Sequence, residues 1–405
     1  HCCSRQRWRL WRRTRRIQAA MIIGVPKELF PGERRVALVP SIVPLLTKAS
    51  LDVLVEPSAG ESAGFPDRAY VEKGARIAIS REQLFSDVDV LLQVRSPGAA
   101  GTTGIADLET LQANQTIIGF SEPLGEPEAA ERVAAKGIRS FSMELIPRIT
   151  RAQSMDALSS MATIAGYKAV LLAAETLPRM FPMMMTAAGT ITPARVFVVG
   201  AGVAGLQAIA SARRLGARVE AYDVRPAVQE QVESLGATFV ELPLDTSESE
   251  DAGGYAKAQD ESFLQRQREM MTRVVANSDV VITTALIPGK TAPVLVTKDM
   301  IAGMDPGAVV VDLAAERGGN CEATQADEVI VTNGVTILGP SNLPATVPYH
   351  ASQMYAKNIA TLLMHLVRDA ALDLDLDDEI TAGTLVSQNG EVVHPRVKEL
   401  LQSTS

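Results

Sequence analysis

The sequence predicts an α/β protein made of two units, each built on a parallel sheet, with a cleft between them. The chain has 405 residues, which is long for one hydrophobic core and suits two domains. Its composition is 46% hydrophobic but only 4% aromatic, so the cores must consist mainly of aliphatic side chains, as in helices packed on a buried sheet. Short apolar runs typical of strands alternate with amphipathic segments, and this rhythm favours parallel strands joined by right-handed crossovers.

The first unit is expected to cover residues 21–150 and to be completed by residues 346–405. Amphipathic patterns predict helices at Ser41–Ala49 and Glu126–Lys136, and a later helix at Ser352–Leu366 that packs back on this unit. Because the second unit intervenes, the first domain is expected to be discontinuous. Its strands are predicted at four apolar runs: Met21–Val25, Val53–Glu56, Val88–Val94 and Thr116–Phe120.

The second unit is expected to cover residues 194–345, with residues 151–193 as the link between the two. A long helical segment, Ser154–Leu177, dominates the link and stops before Pro178. Strands of the second unit are predicted at Arg195–Gly200, Arg218–Tyr222, Phe239–Glu241, Val280–Thr284, Ala308–Asp312 and Val335–Leu338. Helices are predicted at Val203–Leu215, Ala227–Leu235 and Glu261–Val275.

A glycine-rich loop indicates that the second unit binds a nucleotide. It reads G-A-G-V-A-G from Gly200 to Gly205, directly after a predicted strand and at the start of a predicted helix. Gly200 permits a tight turn, Gly202 lets the backbone approach a pyrophosphate, and Gly205 allows close helix–strand contact. The helix N-terminus adds N–H donors and a partial positive charge. The fold class is therefore α/β with two Rossmann-like domains; a loop that merely needs small residues for packing is the weaker alternative.

Asp223 favours NAD(H) over NADP(H) as the nucleotide. It follows Gly205 by 18 residues, at the carboxyl end of the next predicted strand. A carboxylate in this place accepts hydrogen bonds from the adenine ribose hydroxyls and repels a 2′-phosphate. Arg225, two residues later, keeps NADP(H) open as an alternative.

The densest polar segment of the chain is R-I-T-R-A-Q-S-M-D-A-L-S-S, residues 148–160. If a helix begins near Gln153, then Gln153, Asp156 and Ser160 share one face, with Ser159 beside them. Arg148 would then be able to pair with Asp156. A purely structural reading is equally open, because Thr150 with Gln153 fits a capping box and Asp156 suits a helix start. The residues alone do not decide between these readings.

Several segments carry a resemblance to a known family. They are G-V-P-K-E at 24–28, R-V-A-L-V-P at 35–40, P-R-I-T-R-A-Q-S-M-D-A-L-S-S at 147–160, G-A-G-V-A-G-L-Q-A-I at 200–209, G-G-Y-A-K at 253–257, T-T-A-L-I-P-G-K at 283–290 and D-L-A-A-E-R-G-G-N-C-E at 312–322. On these segments residues 21–365 resemble the NAD(H)-binding component of proton-translocating nicotinamide nucleotide transhydrogenase. The run at 147–160 is the most specific of them.

The resemblance implies roles for particular residues. Arg148, Gln153, Asp156 and Ser159 would surround the dihydronicotinamide of NAD(H) as the catalytic set. Tyr255 would belong to a mobile loop that closes over the nucleotide, although composition alone favours a solvated acidic insertion there. The nucleotide-binding residues are expected to be Gly200, Ala201, Gly202, Val203, Gly205, Asp223, Val224, Arg225, Tyr255, Thr284, Ala285, Leu286 and Gly319. No metal is expected.

Alanine dehydrogenase is similar too, since it opens with the same G-V-P-K-E and R-V-A-L-x-P patterns. Amine oxidation needs a general base, most often a histidine. The chain has four histidines, His1, His350, His365 and His394, and none falls in the body of the first domain, where alanine dehydrogenases place theirs. Gln93 and Arg95 stand where those enzymes carry a lysine for the substrate carboxylate, and Arg35 is retained. An alanine dehydrogenase-like enzyme and a non-catalytic NAD(H) sensor remain the alternatives.

The resemblance also implies a reaction, partners and a location. NADH would pass its hydride to NADP⁺ on a separate NADP-binding domain of the beta subunit, coupled to proton translocation in the full complex. The implied partners are that domain, the membrane-spanning alpha and beta components, and a second copy of the chain in a homodimer. The implied location is cytoplasmic and peripheral, on the inner face of the bacterial plasma membrane, or on the matrix side in a mitochondrion.

The two ends of the chain differ in composition from the rest. Residues 1–20 carry seven arginines and no acidic residue, so the remaining 385 residues have a net charge of −15. We interpret this leader as sequence upstream of a start at Met21. A targeting peptide and a nucleic-acid-binding arm are the less favoured alternatives. The acidic body argues against nucleic acid as a partner, and the lack of a continuous apolar run of about 20 residues against membrane insertion. Residues 371–405 are expected to form a solvated terminus rather than a docking strand.

Overall fold

Two large sheets organise the protein. The computed structural model describes residues 20–241, 261–287 and 289–404, so the arginine-rich leader and Tyr255 with its polar loop lie outside the described residues. One sheet has eight strands and the other has seven. Each is mostly parallel and covered by helices, which confirms the predicted α/β class with two Rossmann-like, parallel-sheet units.

The elements follow each other in the order that the alternating pattern predicts. The strands are β1 Ile22–Val25, β2 Asp52–Val55, β3 Arg76–Ile77, β4 Val90–Arg95, β5 Thr116–Phe120, β6 Arg139–Ser142, β7 Met184–Thr186, β8 Gly189–Ile191, β9 Arg195–Val199, β10 Arg218–Tyr222, β11 Thr238–Phe239, β12 Val280–Thr283, β13 Val309–Asp312, β14 Val329–Thr332, β15 Val335–Leu338, β16 Val367–Arg368, β17 Ala371–Leu372, β18 Leu385–Gln388 and β19 Glu391–Val392. The helices are α1 Val43–Lys48, α2 Asp67–Glu72, α3 Arg81–Asp87, α4 Gly101–Thr110, α5 Pro127–Ala135, α6 Ala157–Thr176, α7 Val203–Arg214, α8 Gln229–Ser234, α9 Glu261–Ala276, α10 Lys298–Ala302, α11 Pro348–Leu366, α12 Glu379–Thr384 and α13 Pro395–Thr404.

The first sheet has the order β19-β18-β6-β5-β4-β1-β2-β3. Its strands from β3 to β6 are parallel, whereas β18 and β19 are antiparallel additions at one edge. Strand β4 is buried at Val90–Val94 because helices cover both faces of the sheet. The carboxyl ends of β1, β4, β5 and β6 meet at the same edge, where open α/β sheets bind ligands.

The C-terminal segment is part of this first unit. Strand β18 pairs with β6, with Leu385 opposite Phe141, and helix α13 packs on α5. The expectation of a solvated terminus for residues 371–405 is therefore wrong. The acidic run D-L-D-L-D-D-E suggested a solvated segment, but its Leu374 packs against the first core, and β18 follows shortly after the run.

The second sheet has the order β11-β10-β9-β12-β13-β15-β14, and only its edge strand β14 is antiparallel. The chain order reverses between β9 and β12, because β10 lies on one side of β9 and β12 on the other. Such a reversal opens a crevice at the carboxyl ends of the two strands, and nucleotides bind there in this class of fold. The glycine-rich loop after β9 lies at that point.

Helix α6 joins the two units physically. Its first half, with Ala157, Met161 and Ile164, is buried in the core of the first unit. Its second half, with Ala169 and Val170, is buried in the core of the second. Judged only by length and composition, α6 is also apolar enough to cross a membrane, but a helix that enters two cores has another reason to be apolar.

The start of this helix differs from the prediction. Residues Thr150–Met155 form a 3₁₀ helix, and the α-helix begins only at Ala157. Asp156 has ψ of 88°, outside the helical region, so it separates the two segments. The expected common face of Gln153, Asp156 and Ser160 on one continuous helix is therefore wrong. Periodicity does not reveal such a break, because 3₁₀ and α turns have similar polar patterns over a few residues.

Candidate functional site

The glycine-rich loop adopts the backbone that its glycines predict. Gly200 has φ of 97°, in the left-handed region, immediately after β9. A Cβ on Gly205 would lie 1.8 Å from the carbonyl oxygen of Gly200, so only glycine allows this approach of helix to strand. A Cβ on Gly202 would meet nothing within 4 Å. Gly202 is the N-cap of α7 and has no side chain to cap it, so the open helix end faces free space.

Asp223 stands at the end of β10 and is bound to this loop. One of its oxygens, Oδ2, accepts a hydrogen bond of 2.7 Å from the N–H of Ala201. Arg225 forks onto the same carboxylate, with Nε 2.9 Å from Oδ1 and Nη2 2.9 Å from Oδ2. These bonds hold the Asp223 carboxylate between the glycine-rich loop and the Arg225 guanidinium.

A second wall of the crevice follows β12. Thr284 donates through Oγ1 to the carbonyl oxygen of Gly200 at 2.9 Å, which ties this wall to the glycine-rich loop. The backbone of Ala285 is held by Asn320, whose Oδ1 accepts from Ala285 N–H and whose Nδ2 donates to Ala285 C=O, each at 2.9 Å. Three further predicted residues lie around these loops: Val203 opens α7 with its side chain exposed, Val224 follows Asp223 half-buried, and Leu286 is exposed.

The loop that carries Asn320 is organised by Asp312, a fully buried carboxylate at the end of β13. Asp312 accepts hydrogen bonds from Thr283 Oγ1, Cys321 N and Thr324 Oγ1, at 2.8 to 2.9 Å. Gly319 has φ of 84°, and a Cβ there would lie 2.8 Å from Asp312 Oδ2. Gly319 therefore has a steric role beside the crevice.

The polar run at 148–160 lies where α6 begins. Arg148 and Gln153 are exposed, whereas Asp156 and Ser159 are half-buried. Asp156 caps α6 by accepting from Ser159 N at 2.8 Å, and its other oxygen accepts from Ser159 Oγ at 2.6 Å. Asp156 thus lies at a helix start, as foreseen, and its side chain caps that helix. The capping box foreseen at Thr150 is wrong, since the 3₁₀ helix is preceded by Ile149 and has no side-chain cap.

Helix α6 brings this run towards the nucleotide loops. Gly166 of α6 is in contact with the first turn of α7, because a Cβ there would lie 2.1 Å from the carbonyl oxygen of Ala204. Ser159 lies two turns before Gly166, or about 10 Å at 1.5 Å per residue. The close contact therefore sets the distance between the polar run and the open end of α7.

A buried charged cluster lies at the carboxyl ends of the first sheet. Glu33 binds Arg35 through two hydrogen bonds, with Arg35 Nε 2.7 Å and Nη2 2.6 Å from its oxygens. Arg95 contacts Glu33 at 3.3 Å and lies over the ring of Phe30. Burial would raise the pKa of Glu33, but its bonds to Arg35 prevail and lower it to about 2. The carboxylate is thus charged at every ordinary pH.

Two other carboxyls in this region have raised pKa values, in contrast to Glu33. Burial raises the pKa of Glu28 to about 8, and the neighbouring charge of Glu33 adds to the shift. Burial likewise raises the pKa of Glu144 to about 7, although Ser142 donates a hydrogen bond to it. Glu144 accepts from the N–H groups of Ser121 and Glu122, both at 2.8 Å. These carboxyls hold the backbone where β4 and β5 end.

Polar contacts cross from this edge to the second unit. Glu122, held in a left-handed conformation with φ of 51°, forms an ion pair with Arg317. Arg95 lies 3.6 Å from Glu316, and Arg35 donates to Asn342 at 3.2 Å. The partners in the second unit follow β13 and β15, so the contacts line the cleft next to the nucleotide loops.

Comparison with models of known protein families identifies the family of the chain. A family model described as "Alanine dehydrogenase/PNT, N-terminal domain" matches residues 24–165, and one described as "Alanine dehydrogenase/PNT, C-terminal domain" matches residues 169–395. The chain belongs to the alanine dehydrogenase/PNT family. Members of this transhydrogenase and alanine dehydrogenase group are NAD(H)-binding oxidoreductases.

Individual relatives include both transhydrogenase subunits and alanine dehydrogenases. The chain is 45% identical over 378 residues to the first part of the NAD(P) transhydrogenase alpha subunit of Rhodospirillum rubrum, covering 93% of this chain and 98% of the relative. It is 28% identical to an alanine dehydrogenase of Halomonas elongata, covering 94% and 96%. A crystal structure of transhydrogenase from Sinorhizobium meliloti superposes with a TM-score of 0.82 at 44% identity, covering 92% of this chain and 100% of that one.

The described residues fit the NAD(H) of this alanine dehydrogenase/PNT family member. The open N-terminus of α7 suits a pyrophosphate, and no atom of the described residues lies within 4 Å of the place where a Gly202 Cβ would be. The Asp223 carboxylate, at the end of β10 beside this loop, is an acceptor of the kind that ribose hydroxyls bind in this class of fold. Within the described residues, no group of three or more His, Cys, Asp or Glu side chains is placed to hold a metal ion.

Sequence reasoning missed several residues that shape the site. Glu28 lies in the G-V-P-K-E segment and Asp312 and Asn320 in D-L-A-A-E-R-G-G-N-C-E, so their motifs were noticed but not their roles. No sequence pattern indicated a role for Glu144 or Glu122, because their importance arises from contacts between different loops. Arg35 was noted as retained and is fully engaged by Glu33 and Asn342.

Two glycine substitutions should separate binding from folding. Gly202→Ala adds a methyl group that meets no protein atom, so the thermal midpoint should stay within about 2 °C while NADH binds roughly tenfold more weakly. Gly205→Ala forces the helix away from Gly200 and should lower the stability by about 1–3 kcal/mol. Thermal unfolding and NADH fluorescence titration measure both effects. If Gly202→Ala and Gly205→Ala lose the same NADH affinity and the same stability, the separate roles assigned to the two glycines are wrong.

The stability should fall as the pH rises through the range of Glu28. In the unfolded chain this carboxyl titrates near 4.5, and in the folded protein its pKa is about 8. The folded state therefore binds more protons between these values, so the free energy of unfolding declines from about pH 5 to about pH 8. Glu28→Gln removes one carboxyl from this decline and should flatten the profile measured by urea unfolding. The exposed Glu61→Gln is the control, and an unchanged slope in Glu28→Gln would refute the role of Glu28.

Proposed function

We propose that this chain is the NAD(H)-binding component of a proton-translocating transhydrogenase. In this proposal NADH bound at the crevice transfers a hydride to NADP⁺ on a separate NADP-binding domain of the beta subunit. The observation that carries it is the polar, histidine-free run from Arg148 to Ser159, which ends two turns of α6 before the contact between Gly166 and the first turn of α7.

Hydride transfer between two nicotinamides requires positioning rather than acid–base chemistry. No proton is gained or lost at the reacting carbons, so the site needs oriented polar groups and exclusion of water. In the proposal Arg148 and Gln153, exposed at the start of α6, contact the nicotinamide amide and ribose. Asp156 and Ser159 bind each other and support that surface. Tyr255 is proposed to close over the nucleotide.

Arg35 and Arg95 disfavour oxidation of a free amino acid. Such a reaction needs a cation for the substrate carboxylate and a base for its amine. Arg35 is buried and neutralised by Glu33, and Arg95 is shared among Glu33, Glu316 and a backbone carbonyl. Neither guanidinium is free to take a substrate carboxylate. An alanine dehydrogenase activity is therefore the weaker alternative. The hydride-transfer assay described below also tests the alternative of a non-catalytic sensor.

The remaining aspects of the proposal concern assembly and place. The membrane-spanning alpha and beta components would be separate partners, and coupling to inward proton movement would occur only in the whole complex. The chain would be peripheral on the inner face of a bacterial plasma membrane, or on the matrix side in a mitochondrion.

Gln153 provides the direct test of the transfer reaction. The protein is mixed with NADH, an oxidised NAD analogue and a purified NADP-binding partner domain, and transfer is followed by absorbance. Gln153→Asn should slow transfer by roughly a hundredfold, because a shift of about 1 Å at a hydride-transfer site has an effect of that order, while NADH affinity changes by less than about threefold. Binding without transfer in the wild type would favour the sensor, and NADH formation from alanine and NAD⁺ alone would favour a dehydrogenase.

A homodimer is proposed on the basis of an exposed hairpin. Strands β7 and β8 pair only with each other, and all six of their residues are exposed. The hairpin and its flank carry the exposed side chains of Met183, Met184, Met185 and Ile191. A lone two-stranded hairpin is marginally stable in water, and clustered methionines suit a contact surface. A second copy of the chain is the proposed partner of this surface.

Met185→Lys tests this surface. Met185 is 78% exposed, so the change should not disturb the fold, but it would place a charge in the proposed interface. Analytical ultracentrifugation should show a dimer for the wild type and a monomer for Met185→Lys. Ile79→Lys, at a residue 87% exposed elsewhere, is the control and should remain dimeric. A monomeric wild type, or a dimeric Met185→Lys, would refute the assignment.

A further inference from the structure

A charged network behind the polar run connects it to the C-terminal segment. Arg151, in the 3₁₀ helix Thr150–Met155, has its Nη1 2.5 Å from Asp378 Oδ2. The other oxygen of Asp378 lies 2.9 Å from Nε2 of His365, near the end of α11. The network thus joins the 3₁₀ helix to two neighbouring C-terminal segments that follow it more than 200 residues later in the chain.

Asp378 is a rigid anchor. It is the N-cap of α12, and its Oδ1 accepts from Ile380 N at 2.9 Å and from Thr381 N at 3.1 Å. Burial would raise the pKa of Asp378, but the bonds from Thr381, Arg151 and His365 prevail and hold it well below its usual range. The side chain is 15% exposed, so this carboxylate is both charged and held in place at neutral pH.

The 3₁₀ helix depends on such anchors, because an isolated segment of six residues has little stability of its own. Ala152 and Met155 fix one side of it in the core of the first unit. Asn358 of α11 donates to the carbonyl oxygen of Ser154 at 2.9 Å. Arg151 adds a third attachment, while Gln153, two residues later, is exposed.

We propose that Asp378, supported by His365, is a positioning residue that holds Arg151 and thereby orients the short helix carrying Gln153. This inference rests on the proposed transhydrogenase function, since it assigns to the C-terminal segment a role in presenting Gln153 to the nicotinamide. Neither Asp378 nor Arg151 touches the reacting atoms. The acidic run before α12 contributes this one carboxylate to the site.

The loss of the Arg151 side chain should affect the rate of transfer much more than the stability of the fold. Arg151 is 52% exposed, and ion pairs with an exposed partner contribute little to the free energy of unfolding. Removing the guanidinium should therefore leave the thermal midpoint nearly unchanged. A small rotation of the helix, in contrast, would displace Gln153, and hydride transfer is sensitive to displacements of about 1 Å.

The test uses the full chain with its NADP-binding partner domain and the variants Arg151→Gln, Asp378→Asn and both together. Each single variant should lower kcat for transfer by roughly tenfold and leave the Kd for NADH within about twofold. The double variant should be no slower than the single ones, because both remove the same contact. Arg151→Gln leaves the cap of α12 intact, so its loss of kcat cannot come from unfolding. Two exposed residues that take no part in the Arg151–Asp378 contact supply the controls, Asp377→Asn and Arg68→Gln, which should behave as wild type.

Three outcomes would overturn the inference: an unchanged kcat in Arg151→Gln, equal losses of kcat and NADH affinity, or additive losses in the double variant. The fluorescence of bound NADH distinguishes this failure from that of the proposed function. If the wild type transfers no hydride, the proposed function fails. The inference is then supported if Arg151→Gln and Asp378→Asn shift the emission of bound NADH by the same amount. If both emit as wild type does, the inference fails as well.

Discussion

The close contact between α6 and α7 is the constraint on which the rest of the site depends. Gly166 lies against the backbone of Ala204, so the two helices meet without an intervening side chain. Because α6 is buried in the first core at one end and in the second core at the other, this contact sets how the two sheets face each other. It also sets the distance from the polar run at the start of α6 to the nucleotide loops at the start of α7. A packed helix pair holds such a distance better than loops do, since cores resist small displacements.

Charge is used in two different ways around the cleft. Glu33 and Arg35 form a buried pair that neutralises itself, and Asn342 extends it to the second unit. Glu28 and Glu144 are instead buried without a full counter-charge, which is why burial raises their pKa values. The first arrangement holds the cleft together, whereas the second binds backbone N–H groups at the ends of β4 and β5. Neither arrangement leaves a guanidinium free to bind a substrate carboxylate, and this agrees with the proposed function.

Much of the fold was predictable from local patterns. The runs at Val196–Val199 and Thr116–Phe120 are strands because their side chains are buried on the sheet, and the glycine-rich loop follows β9 as its motif predicts. The break at Asp156 and the docking of β18 were not predictable in this way. A change from 3₁₀ to α geometry leaves no periodic signal, and the pairing of β18 with β6 joins segments that are far apart in sequence, which no local pattern records. The predicted Arg148, Gln153, Asp156 and Ser159 stay a prediction as a catalytic set.

The sequence by itself determined the nucleotide-binding unit and the family resemblance, because a Gly-x-Gly-x-x-Gly loop and a carboxylate after the next strand act through neighbours close in the chain. It also determined that the polar run lacks a histidine. Only the tertiary structure decided that Arg35 is neutralised, that Asp223 carries Arg225, and that Asp378 reaches Arg151 across more than 200 residues of chain. The physical reason is the same in each case. Charges and close contacts act over a few ångströms in space, and a linear sequence records neither which distant residues come that near nor whether a neighbour two residues away turns its side chain towards the charge.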